Sequence, residues 1–357
     1  MITEKTEILC VGNALVDVFI NVNDSLVLEY GIKDTVQHID RDTAERLLND
    51  PEIQSDLAGH NGLSGYASGG GAANVAKIAA MLGMNVVFSG CVGKDSLADI
   101  FENELTGAGA ALKLAKSENR TGICFICNIG GVTRIAASTG AAIDYCETDI
   151  DEELICSAEV VALDGYILDR RPLVQHILRL ASRGGIPVAL DAASIFQVRG
   201  KAEEILHYSR NFPLFIFMNA DEAIAFYNQI RRSRDAENNY SEKEKEAFIL
   251  RDICPMLKII TSGEIFPIVV VKLGGRGALV VAGGNIYHEE TFTIIPKNTI
   301  GAGDAFCAAF ISAWIRGNSL SGCAALGNKV AREILEVPGT SIKKGKLDSF
   351  AKTLRPK

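Results

Sequence analysis

Short apolar runs recur along this chain, separated by longer stretches whose apolar positions return every three or four residues. The runs are Ile8–Val11, Val86–Gly90, Val160–Leu163, Pro187–Leu190, Leu214–Met218 and Ile268–Leu273. Their near-continuous Val, Ile, Leu and Phe content is that of strands buried on both faces. Between them, Asn74–Leu82, Pro172–Ser182 and Lys201–Tyr208 carry the helical period. Strand followed by helix, repeated, predicts an α/β fold: a mostly parallel sheet with helices on both faces.

Two segments break that rhythm. The stretch from about Val16 to Ile39 and the alternating segment Gly122–Ala137 read as extra strands with polar partners, forming a small β lid over a cleft. The stretch at 231–246, RRSRDAENNYSEKEKE, is dense in both charge signs and reads as a solvated insertion, with a partner-binding surface as the alternative.

Composition narrows the class. At 357 residues and 48% apolar, the chain can bury a large core, and one domain spanning 1–357 is expected. A net charge of −8 has the wrong sign for a nucleic-acid groove. No uninterrupted apolar run reaches the ~18 residues that span a bilayer. The start, MITEKTEILCVGN, lacks a basic segment followed by an apolar one. A cytoplasmic protein without nucleic-acid or membrane partners is expected. Nine cysteines, an odd number, suit reduced thiols. Cys124 and Cys127 form a CxxC, but three residues apart on a strand they point to opposite faces, which suits neither a metal clamp nor a redox pair. The five histidines are isolated, so no protein-held zinc site is expected.

Polar and glycine residues follow the strands: Gly12-Asn13, Asp191, Asn219 and Gly274-Gly275. Ligands of open α/β sheets bind beyond the carboxyl ends of the strands, so these positions predict one shared cleft. The same residue types are also ordinary caps and turn formers. Near the C-terminus runs PKNTIGAGDAF, 296–306, followed by an apolar helix that stops at Gly317. Gly301, Ala302 and Gly303 open that helix, where bare N–H groups and the helix dipole favour a phosphate or an oxyanion. Asp304 stands at the same turn, either to take a proton from a hydroxyl or to cap the helix. In YASGGGAANVA, 66–76, a glycine triplet precedes a helix bearing Asn74 in its first turn. It suits a hydroxyl-rich ligand or a tight packing turn. It is neither a Walker loop nor GxGxxG, and the acidic residue a nicotinamide enzyme needs is missing.

Taken in order, GNALVD (12–17), SGGGAANVA (68–76), GCVGKDSLADIFENELTGAGA (90–110), NADE (219–222) and NTIGAGDAF (298–306) resemble the ribokinase-like (pfkB) carbohydrate and nucleoside kinases over nearly the whole chain. The resemblance implies a ribokinase-like three-layer α/β/α fold with a small β lid. It also implies transfer of the ATP γ-phosphoryl group to a primary hydroxyl of a sugar or nucleoside. By position, Asp304 is the base and the backbone of Gly301, Ala302 and Gly303 the anion hole. Asn13, Asp17, Gly70, Gly71 and Asn74 hold substrate hydroxyls. Asn219 and Glu222 organise Mg²⁺ and phosphates through water, and Gly274 and Asn328 lie along the nucleotide. Arg134, in the lid, either reaches the transferring phosphoryl or is an exposed lid arginine.

Two departures stand out. Asn298 replaces the usual aspartate that opens the last signature and helps hold a monovalent cation, so K⁺ activation is in question. Lys272 stands where many relatives have Thr before the nucleotide loop, so contacts to ATP are expected to differ there. GNALVD together with GYILD (165–169) looks nearest the adenosine-kinase-like branch, whereas the lid stretch GGVTRIAASTGAA departs from it. A ribosyl-containing substrate is expected. The alternatives are a free hexose, pentose or keto-deoxy sugar acid, or a non-catalytic binding member of the fold. The chain is expected to be a monomer, or a homodimer through the lid.

Overall fold

A computed structural model describes residues 5–32, 36–59, 65–232, 240–263, 265, 267–297, 300–336 and 345–354. Asn298 and positions 233–239 of the charged insertion lie outside these residues.

Fourteen strands are described: β1 (Ile8–Val11), β2 (Leu15–Asn21), β3 (Val36–His38), β4 (Tyr66–Gly69), β5 (Val86–Val92), β6 (Ala111–Lys116), β7 (Gly122–Ile129), β8 (Val132–Ser138), β9 (Val160–Asp164), β10 (Val188–Asp191), β11 (Leu214–Asn219), β12 (Ile268–Lys272), β13 (Ala278–Ala282) and β14 (Asn285–Glu289). Nine make one sheet in the order β14-β13-β12-β11-β10-β9-β1-β5-β6. Its pairs are parallel from β12 across to β6, and the β12–β13 and β13–β14 pairs at the other edge are antiparallel. All six apolar runs are strands of this sheet. Its topology also shows why they are apolar on both faces. Ile8 and Cys10 of β1 enter one core and Leu9 and Val11 the other, and helices cover each side.

The helices of eleven or more residues are α1 (Gly71–Met81), α2 (Ser96–Ala108), α3 (Arg171–Gly184), α4 (Ile195–Asn211), α5 (Ala220–Arg231), α6 (Ala302–Ile315) and α7 (Leu320–Leu335). Helix α6 is apolar all round, with Ala305 to Ala313 buried, because it lies between the sheet and its neighbouring helices. Phe306 and Phe310 pack edge-on against Phe217 of β11. Gly327 of α7 admits Phe306 closely: a Cβ there would stand 2.7 Å from the ring. This packing fixes the start of α6 against the ends of the central strands.

The lid is a second sheet, ordered β3-β8-β7-β2-β4. The 122–137 segment supplies β7 and β8, whereas 16–39 supplies β2 and β3 with a helix, Asp24–Glu29, between them in place of continuous strand. The strand just before the glycine triplet, Tyr66–Gly69, joins the same sheet antiparallel to β2, which the sequence reading did not anticipate. Charged positions 242–246 of the insertion open the short helix Glu242–Phe248, capped by Ser241. Among the described residues no helix is long and apolar enough to cross a membrane.

Candidate active site

Beyond the carboxyl ends of β1, β9, β10, β11 and β12, the chain reverses into helices or turns, and the polar residues of those junctions converge. Gly301 precedes α6 with φ +78°, a left-handed conformation that glycine adopts without strain, and the helix has no side-chain cap bond. Asp304 therefore does not cap its own helix. Its Oδ2 instead accepts from Asn74 Nδ2 at 2.8 Å, joining the start of α6 to the start of α1. Burial pushes the Asp304 carboxyl up to about 7, and the Asp191 and Asp164 carboxylates add to the rise, against the Asn74 bond and the Lys272 charge. Asn74 Oδ1 is buried and, among the described residues, has no hydrogen-bond partner.

The glycine triplet is packed tight at one position and open toward carboxylates at the next. At Gly70, φ +100°, a Cβ would stand 2.2 Å from the Asn13 carbonyl oxygen, so the turn is packed tight. At Gly71 the bare Cα opens toward carboxylates: a Cβ would stand 3.6 Å from Asp304 Oδ1 and 3.1 Å from Asp164 Cβ. Asn13 is buried, and its Oδ1 accepts from Arg170 Nη2 at 2.5 Å.

Asp17 is buried on the lid strand β2. A Cβ on Gly69 would stand 2.1 Å from Asp17 Oδ1, so only glycine leaves room for that carboxyl. Burial raises Asp17 to about 7, offset in part by the Lys77 charge and a hydrogen bond from the Cys124 thiol. All nine cysteines are free, and Cys124 faces Asp17 while Cys127, on the other face of β7, is in the core.

Asn219 and Glu222 make a capping box at the start of α5. Asn219 Oδ1 accepts from Glu222 N at 2.9 Å, and Glu222 Oε2 from Asn219 N at 2.8 Å. Burial lifts Glu222 to about 7, with Asp191 raising it further and Lys272 opposing. Lys272 ends β12 with its Nζ 2.5 Å from Asp191 Oδ2. On the far flank, Gly274 starts a short 3₁₀ turn at φ +58°, and Asn328 Nδ2 donates to the Glu289 carbonyl at 3.1 Å.

Arg134 is not brought to this cleft. It pairs with Cys127 in the β7–β8 register, and so lies on the face of the lid opposite Cys124 and Asp17, and its Nη1 donates to the Ile32 carbonyl at 2.9 Å. The structure adds residues in its place. Asp164, at the end of β9, is buried and accepts from the Ala72 and Tyr166 amides at 3.3 and 3.1 Å. Lys77 of α1 is buried against Glu104 of α2, 3.0 Å away, and donates to Ser68 Oγ of β4 at 3.3 Å, while Glu104 accepts the Ser68 amide.

Among the described residues no three His, Cys, Asp or Glu side chains converge as a metal cage. Mg²⁺ carried on nucleotide phosphates, held by one or two carboxylates and several waters, needs no such cage. Buried Glu222, with one oxygen committed to the cap and the other free among the described residues, fits that role.

The family model described as pfkB family carbohydrate kinase matches residues 39–346. The adenosine kinase of Schizophyllum commune is 24% identical over 356 residues, covering 94% of this chain and 97% of that protein. The crystal structure of adenosine kinase from Sinorhizobium meliloti superposes with a TM-score of 0.76 at 24% identity, covering 98% of both chains. A probable sugar kinase from Rhizobium etli CFN 42 superposes with a TM-score of 0.78 at 23% identity, covering 98% of this chain and 99% of that one. The order of the signature stretches, the cleft into which they converge and the span of the match agree, and the chain belongs to the pfkB family of carbohydrate kinases.

Proposed function

We propose that this chain is a single-domain ATP-dependent phosphotransferase acting on a primary hydroxyl of a ribonucleoside. The observation that carries the reading is the Asn74–Asp304 pair. A carboxylate at the glycine turn that opens α6 is tied to an amide whose other end, Asn74 Oδ1, is buried and unpartnered. A buried acceptor without a donor costs about 1–3 kcal/mol. A substrate hydroxyl is the donor that would satisfy it, and doing so sets that hydroxyl beside Asp304.

The chemistry follows from the surroundings. Asp304, held at about 7, takes the acceptor proton near neutral pH, where a base is most effective. The N–H groups at Gly301–Gly303 face the phosphoryl oxygens, and their preorganised dipoles stabilise charge as it moves. Asp17 and Asn13 hold the other substrate hydroxyls, with Gly70 and Gly71 closing on the ligand. Asn219, Glu222, Lys272, Gly274 and Asn328 lie along the nucleotide. Glu222 would hold nucleotide-borne Mg²⁺ through water, and the ion would supply neutralisation of phosphate charge.

The lean toward a nucleoside rests on Tyr166 and on the relatives. Tyr166 stands 38% exposed after β9, with its phenol near Asp164 and near Cys124, which itself hydrogen-bonds Asp17. An aromatic face beside a hydroxyl-reading aspartate suits a base joined to ribose. A free sugar is the second reading, supported by the likeness to a probable sugar kinase. The experiment is ADP release from Mg²⁺-ATP over a panel of adenosine, other nucleosides, ribose, fructose and a 2-keto-3-deoxy sugar acid. Turnover highest with a nucleoside supports the proposal. Turnover confined to a free sugar replaces the substrate, and no turnover with ATP bound replaces the activity with binding alone.

A further inference from the structure

Lys272 is the one feature of the cleft that ordinary strand-end chemistry does not explain. Its ammonium is nearly buried and pairs with an equally buried carboxylate, Asp191 Oδ2, at 2.5 Å. Cys307, three residues beyond Asp304 on α6, donates its thiol to the same Oδ2 at 3.0 Å, and the Lys272 Nζ lies 3.8 Å from that sulfur. Among the described residues, Asp191 and Cys307 are the hydrogen-bond partners recorded for this ammonium, which has three N–H groups. A Cβ on Gly303 would stand 3.2 Å from Nζ, so the ammonium passes directly against the glycine turn.

A buried ion pair adds little stability over a well-packed apolar pair. Its place in the cleft is therefore the informative part. Asp191, Glu222, Asp304 and Asp164 already crowd this region with carboxylates, and a nucleotide triphosphate would add more negative charge. Lys272 is the cation that opposes this crowding at both Asp304 and Glu222.

We propose that Lys272 is a catalytic residue whose ammonium, seated on Asp191 beside Gly303, contacts the transferring phosphoryl group and gives the anion hole a fixed positive charge of its own. This rests on the phosphotransferase reading above. In the step, the acceptor oxygen bonds to the γ phosphorus as the bond to the β,γ-bridging oxygen breaks. The electron pair leaves with ADP, and the hydroxyl proton passes to Asp304. Lys272 stays protonated throughout and exchanges no proton. A protein-borne cation at this point also makes a monovalent cation dispensable, so rates in K⁺, Na⁺ and tetramethylammonium should agree within about twofold, since no bound ion is then at stake.

Lys272→Met alone strands a buried Asp191 and can fail to fold, so the test uses Lys272→Met/Asp191→Asn, which removes both charges of the pair, beside wild type and Lys272→Arg, which keeps a cation on Asp191. Two readouts are taken: kcat, and calorimetric affinity for Mg²⁺-ADP against the Mg²⁺-β,γ-imido analogue of ATP. The double variant is expected to lose about 10²-fold or more in kcat, the scale of losing one preorganised group in a charge-stabilising hole. It should also weaken the imido analogue about tenfold more than ADP, while Lys272→Arg recovers part of both losses by keeping a cation at the anion hole. An unchanged preference between the two nucleotides, a double variant as active as wild type, or a Lys272→Arg variant no better than the double variant overturns the proposal. If the wild type turns over no acceptor at all, the phosphotransferase reading fails on its own. The nucleotide affinities then still decide whether Lys272 reads the γ-phosphate.

Discussion

Asp304→Asn separates the chemical role of this carboxyl from its structural one, because the structure assigns the two opposite signs. The amide is isosteric, and its oxygen can still accept from Asn74 Nδ2, so the pocket keeps its shape. What is lost is the proton acceptor. A positioned base is worth roughly 10²–10⁴ in rate, and kcat is expected to fall by that factor while nucleotide affinity stays near wild type. Stability should move the other way. Burial, Asp191 and Asp164 hold the native carboxyl at about 7, well above its ordinary value near 4. A raised native pKa means the folded protein binds this proton more tightly than the unfolded chain. Its ionised form therefore costs stability in full above pH ~7, and the cost fades as pH falls toward the unfolded value of ~4. Each pH unit of such a displacement corresponds to about 1.4 kcal/mol. Because the side chain opens to the cleft, the relief in the variant at pH 8 is on the order of 1–2 kcal/mol, or about 1–3 °C in Tm for a chain of this length. Paired thermal melts at pH 8 and pH 5.5, alongside steady-state rates, test both halves. A variant that is equally active, or that is destabilised at pH 8, would refute the reasoning.

The wild-type rate should fall on the acid side with an apparent pKa near 7, and Asp304 and Asp17 both contribute, since each must be ionised to act; a flat kcat/KM between pH 5.5 and 8 would contradict this. Lys77→Met should raise KM for the acceptor more than it lowers kcat, because Lys77 opposes the protonation of Asp17 and ties β4 to α1 and α2. It should also destabilise by about 2–4 kcal/mol, as when one partner of a buried pair is removed. The double change Lys77→Met/Glu104→Gln should recover the stability but not the KM, and recovery of both would reduce Lys77 to a packing role.

The sheet was legible because strands buried on both faces must be continuously apolar, and the cleft because its residues follow those strands directly. What the sequence hid depends on which face meets which. Arg134 shows the difficulty. Alternation along β8 marks two faces, but only the register with β7 shows that Arg134 lies with Cys127 and away from Asp17. Lys77 is a lone cation in an alanine-rich helix, a pattern that reads as solvent-facing. Its partner Glu104 comes from another helix, so nothing local announces a buried pair. Asp164 obeys the same strand-end rule as Asp191 and was within reach of it, but its place in LDGYILD reads as a turn. Asn219 and Glu222 carry a spacing that serves a helix cap as well as a ligand, and the structure shows the cap fully formed.

The most direct test of the central claim is a comparison of adenosine with 5′-deoxyadenosine as acceptors for Mg²⁺-ATP, read as ADP release and as phosphoester in the ³¹P spectrum. The two differ only in the hydroxyl that Asn74 and Asp304 are placed to receive. ADP and a 5′-phosphoester from adenosine, with neither from the deoxy analogue, is the predicted result. ADP released at equal rates with both, or with no phosphoester formed, would contradict it.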